Sequence, residues 1–555
     1  MGWATVFLAW SSLIGLSLII ALGVLIHDII LWKRMPPGPR PLPFIGNKLD
    51  VPNKHPWIQF QEWSRQYGPI FTVWFGRRPT VIVSDPNVAV DLLEKRSQKY
   101  SSRPRFVVMG EIFWDMSSIL VQPYGKDWSV RRKAMHQVLT SRALENYKPV
   151  AEAEATRLCQ QLLNKADDLD NLLNRFTSSI VFTIAYGHRI DSMQSPIIKQ
   201  RMKIMHWNAA VNVPGRYLAE SFPILKNIPD FLAPWKREVK GWGREEQMAN
   251  AQLLGYVEED IEEAKKPGAR PLPNSLARQL LENRAADPAS FALLRERDFA
   301  SLPASVFGAG ADTTASTLSS AILAIITNQE TLHAAHAELD AVIGRSRLPD
   351  YTDESSLPYI RALCKEALRW RPVAVLGGTP HASTEADTYR GYYIPKGTNI
   401  LGNSWAINRH ESFYPNPDHF NPLRFLDVDP TSLAYLAKTY TSTTPQEKGL
   451  AHPSKLGHSS FGWGRRICPG AELASNNLFI ALARVLWCFD ILPAKGAVYD
   501  TYDYTDGFNT RPNPYKYEFS LRSEKHGEVL RAEFADAQDY LESNFPLFRE
   551  HEIVV

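Results

Sequence analysis

Cys468 lies in a segment whose composition favours a reactive thiolate. Residues 461–470 read FGWGRRICPG, so two glycines precede the cysteine and a third follows it. These glycines allow tight backbone turns close to a flat, bulky partner. The apolar stretch from Ala471 onward is typical of a helix, whose N-terminus stabilises a thiolate through its N–H groups and dipole. A lone cysteine is more often a buried structural residue, but the complete segment argues against that reading for Cys468.

A second group of residues could handle protons and a small molecule. Residues 309–314 read AGADTT inside the longest helical pattern of the chain. Gly310 costs about 1 kcal/mol relative to alanine in a helix interior, and a flat ligand against the backbone would explain it. Asp312 supplies an acid beside the hydroxyl of Thr313, which can bond a carbonyl one turn earlier and open a local groove. The alternative is an ordinary core helix with incidental polar residues.

Three other sets of residues could bind or position a charged group. Glu366 and Arg369 are three residues apart and share a helical face, although such a pair is usually a surface ion pair. Trp128 and Arg132 also share a face, and together they could reach an anionic group. His381 follows a proline and could be a further cationic ligand, whereas a lone histidine is more often a satisfied polar group.

The ten residues around Cys468 resemble the haem-binding loop of the cytochrome P-450 superfamily. They match its pattern F-x-x-G-x-R-x-C-x-G at every fixed position. The resemblance implies that Cys468 is the thiolate ligand to the iron of haem b, iron protoporphyrin IX. It also implies that Phe461, Gly464, Arg466 and Gly470 surround that cofactor. The likeness extends along almost the whole chain after residue 35.

The other polar motifs resemble the same family. Residues 309–314 match the A-G-x-D-T-T pattern of its I helix. The resemblance implies that Gly310 lies at the haem, that Thr313 contacts dioxygen and that Asp312 relays protons from solvent.

Two more motifs complete the resemblance. Trp128, Arg132 and His381 would bind the haem propionates. Glu366 and Arg369 would form a buried structural network with Arg424, which belongs to the P-x-R-F sequence at 422–425.

A helix-rich scaffold must position these residues. Helical patterns cover 57–67, 147–164, 245–265, 299–327, 329–343 and 471–489, while β-like runs occur at 70–75, 80–83, 388–394 and 515–521. These patterns predict a mainly α fold with small β-sheets, and the resemblance implies the cytochrome P-450 fold. We divide the chain into an anchor (1–32), a Pro-rich hinge (33–50), a catalytic domain (51–524) and an acidic C-terminal extension (525–555). The stretch 426–460 is longer than the family pattern leads us to expect.

The N-terminal residues predict a single membrane-spanning helix. No charged residue occurs in 4–26, and as a helix this stretch would be roughly 35 Å long, enough to cross a bilayer. It exceeds the apolar core of a signal peptide, about 7–15 residues, and no basic residue precedes it. Lys33 and Arg34 follow it, which places the body of the protein in the cytosol. We expect a single-pass protein of the endoplasmic reticulum membrane.

Composition limits the possible partners. A net charge of +3 on 555 residues gives no reason to expect nucleic acid, and four scattered cysteines do not form a disulfide framework. The chain has no G-x-G-x-x-G fingerprint for a flavin or dinucleotide. We therefore expect a separate NADPH-dependent flavoprotein reductase to supply electrons. Arg131, Lys133 and Arg465 are candidates for its docking patch.

The function implied is monooxygenation of a hydrophobic small molecule. Aromatic and aliphatic residues near 106–115, 305–309, 373–379 and 508–510 would line the substrate cavity, and residues 215–235 would cover its entrance. The general resemblance is to fungal enzymes of secondary metabolism. Two alternatives remain open: a haem-thiolate isomerase or dehydratase that needs no O₂, and a non-catalytic membrane haem protein. Asp312 and Thr313 argue against the first, and the complete set of catalytic motifs argues against the second.

Overall fold

The part of the chain that the structure describes folds into a mainly helical body with three small sheets. The computed structural model describes residues 2–165, 168–212, 216–429, 432–436, 439–440 and 449–548. Its α-helices are α1 (Gly2–Arg34), α2 (Pro56–Tyr67), α3 (Pro86–Ala89), α4 (Ser97–Tyr100), α5 (Lys126–His136), α6 (Ser141–Glu145), α7 (Lys148–Leu163), α8 (Leu169–Tyr186), α9 (Pro196–Val211), α10 (Leu218–Ser221), α11 (Pro234–Glu263), α12 (Leu276–Ala286), α13 (Glu296–Thr327), α14 (Gln329–Val342), α15 (Pro358–Trp370), α16 (Ser404–Ile407), α17 (Ala471–Cys488) and α18 (Glu524–Asn544). Its strands are β1 (Ile70–Phe75), β2 (Arg78–Val83), β3 (His381–Ala382), β4 (Asp387–Tyr389), β5 (Tyr392–Ile394), β6 (Asn399–Gly402), β7 (Phe489–Leu492) and β8 (Glu518–Leu521).

Helix α13 runs through the centre of the molecule. It packs most extensively on α8 and also contacts α5, α11, α15 and α17. Its C-terminal half, from Thr314 to Ile326, is buried all round, which is typical of a central core helix. The preceding residues 308–313 are not fully buried, and Ala309 is exposed in the middle of this helix.

The largest sheet has the order β1-β2-β6-β3. Strands β1 and β2 form an antiparallel hairpin, β6 joins β2 in parallel, and β3 joins β6 antiparallel. This topology fixes His381, the first residue of β3, beside Ile400 of β6. The sheet therefore holds a buried histidine in place, although His381 is far from Cys468 in sequence.

Most of the predicted elements are present, with shifted ends. The predictions of a mainly α fold and of small sheets are confirmed. The main error concerns α11, which begins at Pro234, eleven residues before the predicted start at 245. Gly241 and Gly243 and several charged residues interrupt the apolar pattern in its first turns. A Cβ on Gly243 would overlap the carbonyl of Phe113, so close packing accounts for one of these glycines.

The N-terminal helix projects apolar side chains to the outside. Within it, residues Trp10–Arg34 form a candidate membrane span with a mean hydropathy of 2.4 and none of that window buried. Helix α13 passes the same test of length and composition, but 72% of its window is buried, so it is a core helix. Helix α1 continues past the predicted anchor boundary, and Asp28 accepts a hydrogen bond from Arg77 Nε at 2.7 Å.

The Pro-rich segment is packed against the first strand. The carbonyl of Pro37 accepts a hydrogen bond from Thr72 N at 2.9 Å, and a Cβ on Gly38 would overlap the backbone of Thr72. Met35 is buried beside Trp74 in one apolar cluster. These contacts attach the hinge to the catalytic body.

The long stretch 426–460 lies only in part within the described residues. Where it is described, Tyr435 donates a hydrogen bond to Glu338 of α14 at 3.0 Å, and Tyr440 lies 2.8 Å from the hydroxyl of Tyr359 on α15. Leu436 is fully buried. This part of the stretch therefore packs on the helical core, and an effect on reductase docking stays a prediction.

Candidate active site

The loop that precedes Cys468 is held by close packing at Trp463 and Gly464. Trp463 is almost fully buried, and its ring fills the space that side chains on Gly377 and Gly402 would occupy. Gly464 has a φ of 54° and lies so near the carbonyl of Leu93 that a Cβ would overlap it. The backbone N–H of Cys468 donates to the Phe461 carbonyl at 2.8 Å, which closes the loop.

Cys468 lies just before the N-terminus of α17, as the sequence predicts. Burial raises the pKa of its thiol, whereas the N–H of Gly470 and the guanidinium of Arg132 act in the opposite direction. Gly470 precedes the first residue of α17, so the helix dipole adds to the effect of its N–H. The arrangement favours a thiolate as soon as a cation binds to the sulfur.

A cluster of cations surrounds the space beside the cysteine loop. Arg466 donates to the carbonyls of Ser101 and Gln122, both at 2.7 Å, and its guanidinium lies 4.5 Å from the ring of Trp128. Burial lowers the pKa of Arg466 to about 8, and repulsion from Arg103 and Arg132 adds to this effect. The cluster is therefore short of negative charge.

Two more arginines and one neutral histidine come from three distant segments. Arg132 of α5 donates to the carbonyl of Ile467 at 2.9 Å. Arg103 donates to the carbonyls of Thr379 and Pro380 at 2.6 and 2.9 Å, and burial lowers its pKa to about 10. His381 lies 2.7 Å from the Tyr100 carbonyl through Nδ1, and burial together with Arg103 lowers its pKa to about 3.

These residues fit a haem with its two carboxylate arms. Within the described ranges, Arg103, Arg132 and Arg466 form no salt bridge with a carboxylate, and Nε of Arg103 is buried without a hydrogen-bond partner. Such a cationic group needs an anion, because an unpaired buried charge is costly. Cys468 is exposed although burial dominates its pKa, which indicates that its sulfur faces a space enclosed by the fold. An anionic cofactor with a thiolate-binding metal satisfies both requirements.

Arg103 was missed by sequence reasoning. It lies between Ser102 and Pro104, and no spacing relates it to Cys468. Only the fold brings residue 103 next to 381 and 466. The only feature of the sequence that could have indicated its role is an arginine between a serine and a proline, and such a pattern is too common to be informative.

Asp312 and Thr313 lie in the middle of α13. The hydroxyl of Thr313 donates to the Ala309 carbonyl at 2.8 Å, as the sequence predicts for a threonine at this position. Asp312 accepts a hydrogen bond from Asn509 at 3.1 Å, and Arg511 Nη1 lies 3.9 Å from its other oxygen. Asn509 and Arg511 belong to a late turn that the sequence did not connect with the acid.

Gly310 has a packing role in this structure. A Cβ there would lie 2.5 Å from Cγ1 of Val181, so its open side faces α8. Close contact between α8 and α13 is sufficient to require the glycine. Its predicted contact with the cofactor stays a prediction.

The predicted structural network is assembled in the core. Arg369 donates through Nε and Nη2 to the two oxygens of Glu366 at 2.6 and 2.7 Å, and both residues are fully buried. Arg424 Nε lies 3.5 Å from Glu366 Oε1, and the backbone N–H of Asn421 donates to the same oxygen at 2.8 Å. The network links α15 to the segment Pro422–Phe425.

The prediction that Arg131 belongs to an exposed docking patch is wrong. Arg131 is buried and forms a salt bridge with Asp298 of α13 at 3.1 Å. Successive residues of a helix differ by about 100° in direction, so Arg131 faces the core while Lys133 is exposed. Arg465 is also exposed and contacts the hydroxyl of Tyr124.

The predicted substrate-cavity residues are divided between core and surface. Val107 and Phe113 are fully buried in an apolar cluster with Ile204 and Trp207 of α9. Phe508 is exposed, in the same late turn as Asn509. Whether these residues line a substrate cavity stays a prediction. The predicted entrance segment begins at Gly215, which lies outside the described residues.

Fold and candidate site together describe a mainly helical protein with a long central helix and an exposed cysteine beside a group of partly buried arginines. Comparison with known proteins assigns the family. The family model described as cytochrome P-450 matches residues 36–519. Cytochrome P-450 monooxygenase 58 of Postia placenta is 37% identical over 498 residues, covering 88% of this chain and 89% of the relative. A cytochrome P-450 monooxygenase of Armillaria gallica is 35% identical over 515 residues, covering 90% and 92%.

A third relative covers a still larger share of the chain. Cytochrome P-450 monooxygenase verL of Clonostachys rogersoniana is 32% identical over 544 residues, which is 95% of each chain. The chain belongs to the cytochrome P-450 family. It is a monooxygenase, an oxidoreductase that incorporates oxygen and whose family carries haem iron.

Proposed function

We propose that this protein inserts one atom of O₂ into a hydrophobic small molecule, with Cys468 as the thiolate ligand of haem b. The observation that carries the proposal is the environment of Cys468. Its sulfur is exposed to an internal space at the start of α17, beside a cationic cluster that has no carboxylate partner among the described residues. Arg103, Trp128, Arg132, His381 and Arg466 would hold the propionates, and Phe461, Gly464 and Gly470 would shape the loop.

Asp312 and Thr313 of α13 would transfer protons during the reaction. Haem bound at Cys468 supplies oxygen activation, and the reaction consumes two electrons and two protons while the second oxygen atom leaves as water. Thr313 would hold a proton at Oγ1. Its hydroxyl donates to the Ala309 carbonyl in this structure and would give its proton to the oxygen atom that leaves as water. Asp312 would receive protons from solvent and pass them to Thr313. Asn509 fixes the orientation of its carboxylate.

Electrons would come from a separate NADPH-dependent flavoprotein reductase. The sequence has no nucleotide-binding fingerprint of its own, which supports an external donor. Lys133 and Arg465 are exposed and are the candidates for a basic surface that binds the reductase, whereas Arg131 is buried and is not.

We propose that α1 anchors the protein in the endoplasmic reticulum membrane with the catalytic body in the cytosol. The exposed apolar window Trp10–Arg34 supports the anchor, and Lys33 and Arg34 support the orientation. We further propose a natural product of secondary metabolism as the substrate, on the general resemblance of the sequence to fungal enzymes of that kind.

The test is the carbon monoxide difference spectrum of the reduced protein in microsomes. We expect the red-shifted Soret band of thiolate-bound haem in the wild type and its loss in Cys468→Ala. Cys364→Ala, which alters a buried cysteine of α15, is the matched control and should keep the band. An imidazole-type band in the wild type would remove Cys468 from its role. Rearrangement of an organic peroxide without O₂ or reductase, with no oxygen atom transferred to a second molecule, would instead favour the isomerase alternative.

A further inference from the structure

A buried asparagine outside the sequence motifs connects two parts of the candidate site. Asn408 directly follows the last residue of α16 and is fully buried. Its backbone carbonyl accepts a hydrogen bond from Arg369 Nη1 at 2.8 Å. Its side chain bonds to Ser459, two residues before the segment 461–470 that contains Cys468. Asn408 therefore lies between the buried network of α15 and the cysteine loop.

Every hydrogen-bonding position of the Asn408 side chain is used. Its Oδ1 accepts from the backbone N–H of Ser459 at 2.9 Å and from the Ser459 hydroxyl at 2.7 Å. Its Nδ2 donates to the Arg369 carbonyl at 3.3 Å and to Ser460 Oγ at 3.0 Å. Because a backbone N–H only donates and a carbonyl only accepts, these partners fix which side of the amide carries the oxygen. The four bonds hold the amide in one orientation.

The bonds of Asn408 continue through the backbone to the cysteine. The carbonyl of Ser459 accepts a hydrogen bond from the N–H of Gly462 at 3.0 Å, which forms a turn. This turn presents the carbonyl of Phe461 to the N–H of Cys468 at 2.8 Å. Asn408 thus holds the first residue of the turn, and the turn holds the backbone of the cysteine.

The loop needs bonds of this kind from the core. Gly462 and Gly464 have φ values of 74° and 54°, and glycine loses more conformational freedom on folding than any other residue. A ligand side chain on such a loop keeps its position only when surrounding groups restrict the backbone, because groups beyond the ligand orient it. Asn408 and Ser459 are both almost completely buried, so water does not compete for their bonds.

We propose that Asn408 is a positioning residue for the thiolate of Cys468. It acts through the turn that begins at Ser459 and fixes the cysteine loop to Arg369. The proposal rests on the proposed function and adds to it a residue that controls how firmly the sulfur is held. When the bonds of Asn408 are removed, the loop moves more freely and the sulfur leaves the iron more often.

Asn403, at the other end of α16, provides a matched control. It is also fully buried, and its Oδ1 accepts from the N–H of Ala406 at 3.3 Å. Its Nδ2 donates to the Trp57 carbonyl of α2 at 3.3 Å. These bonds stabilise α16 and attach it to α2. A substitution of Asn403 therefore measures the cost of losing a buried asparagine in this part of the fold.

The lifetime of the thiolate band in the carbon monoxide spectrum tests the proposal. Asn408→Leu keeps the number of heavy atoms and removes all four side-chain bonds, which leaves the N–H of Ser459 buried without a partner. In the full-length haem-loaded protein, below the onset of unfolding, we expect the band to decay about tenfold faster than in the wild type. Asn403→Leu should lower the unfolding temperature and leave the decay rate within about twofold of the wild type. Equal decay rates in the two variants would show a merely structural role for Asn408 and overturn the proposal.

A smaller change keeps the test decisive if Asn408→Leu does not fold. Ser459→Ala removes one donor to Oδ1 of Asn408 and leaves the backbone bond in place. We expect the thiolate band to decay about threefold faster in Ser459→Ala, and a decay rate equal to the wild type contradicts the proposal. Added to Asn408→Leu, the same change should have no further effect, because the hydroxyl has already lost its acceptor.

Amide hydrogen exchange follows the loop independently of the iron ligand. We expect the N–H of Cys468 to exchange about tenfold faster in Asn408→Leu than in the wild type and in Asn403→Leu. The N–H groups in the second half of α17 should be unchanged in all three proteins. Unchanged exchange at Cys468 would overturn the role of Asn408 alone. A missing thiolate band in the wild type would overturn the proposed function, while exchange at Cys468 would still show whether Asn408 holds the loop.

Discussion

Among single residues, Asp312 is connected to a surface acid through one arginine. Arg511 Nη1 lies 2.9 Å from Asp170 at the start of α8 and 3.9 Å from Asp312 in α13. Burial raises the pKa of Asp170, and Arg511 opposes that change. Asp170 is 45% exposed, so solvent reaches the outer end of this set directly. The arrangement gives Asp312 both a fixed orientation and a route to water.

The hydroxyl of Thr313 should control how efficiently electrons yield product. We expect Thr313→Ala to lower product per NADPH by about tenfold and to raise peroxide release, since a proton at Oγ1 is lost. A coumarin ether serves as surrogate substrate, with reductase, and both NADPH and peroxide are measured. Thr313→Ser keeps the hydroxyl and should remain close to the wild type. An unchanged ratio in Thr313→Ala would remove this residue from proton delivery.

The buried pair of Glu366 and Arg369 should be essential for stability. We expect Glu366→Ala to cost about 3–5 kcal/mol, because Arg369 is left fully buried without its carboxylate. Thermal unfolding and retention of haem on a sizing column are the measurements. Glu262→Ala, which removes an exposed ion pair with Lys265, should leave the unfolding midpoint unchanged. A Glu366→Ala protein as stable as this control would contradict the role assigned to the network.

At the scale of helices and loops, a feature could be predicted from the sequence when the residues that form it are close together along the chain. The loop before Cys468, the motif in α13 and the pair in α15 are local patterns, so spacing along the chain was sufficient to find them. Arg103 was not found because partners from distant segments define its surroundings. Arg131 was misplaced for a related reason: a run of basic residues does not reveal which side of α5 faces Asp298. Helix α11 was predicted too short because two glycines, of which only Gly243 is required for packing, and several charged residues interrupt its pattern.

The contact between α8 and α13 provides a test of the role of Gly310. We expect Gly310→Ala to destabilise the protein by about 1–3 kcal/mol, because its Cβ would press on Val181. Thermal unfolding measures the effect, and Val181→Ala in the same chain should recover most of it. Gly255→Ala in α11, where no atom lies within 4 Å of the added Cβ, should stabilise by about 0.5–1 kcal/mol. A loss that Val181→Ala does not relieve would point to a contact with the cofactor instead.

At the scale of the whole molecule, the apolar surface extends beyond α1. Leu42, Phe44 and Ile45 are exposed in the hinge, and Leu218, Phe222 and Phe231 are exposed in and after α10. The two segments approach each other at Gly76, since a Cβ there would lie 3.6 Å from the Phe44 carbonyl and 3.8 Å from Ser221 Oγ. Exposed apolar groups from two segments on one side of the body favour contact with a membrane.

Two truncations should therefore separate anchoring from folding. Removal of residues 2–26 keeps Asp28 and its bond to Arg77, so we expect an unchanged unfolding temperature. Removal of residues 2–34 also deletes Leu31 and Trp32, which pack against the cluster around Trp74, and should lower that temperature. Both proteins should bind lipid vesicles less than the full chain but more than a variant that also carries Phe222→Ser and Phe231→Ser. If the protein that lacks residues 2–26 no longer binds vesicles at all, the membrane contact is limited to α1. If the two truncated proteins unfold at the same temperature, residues 27–34 do not stabilise the catalytic body.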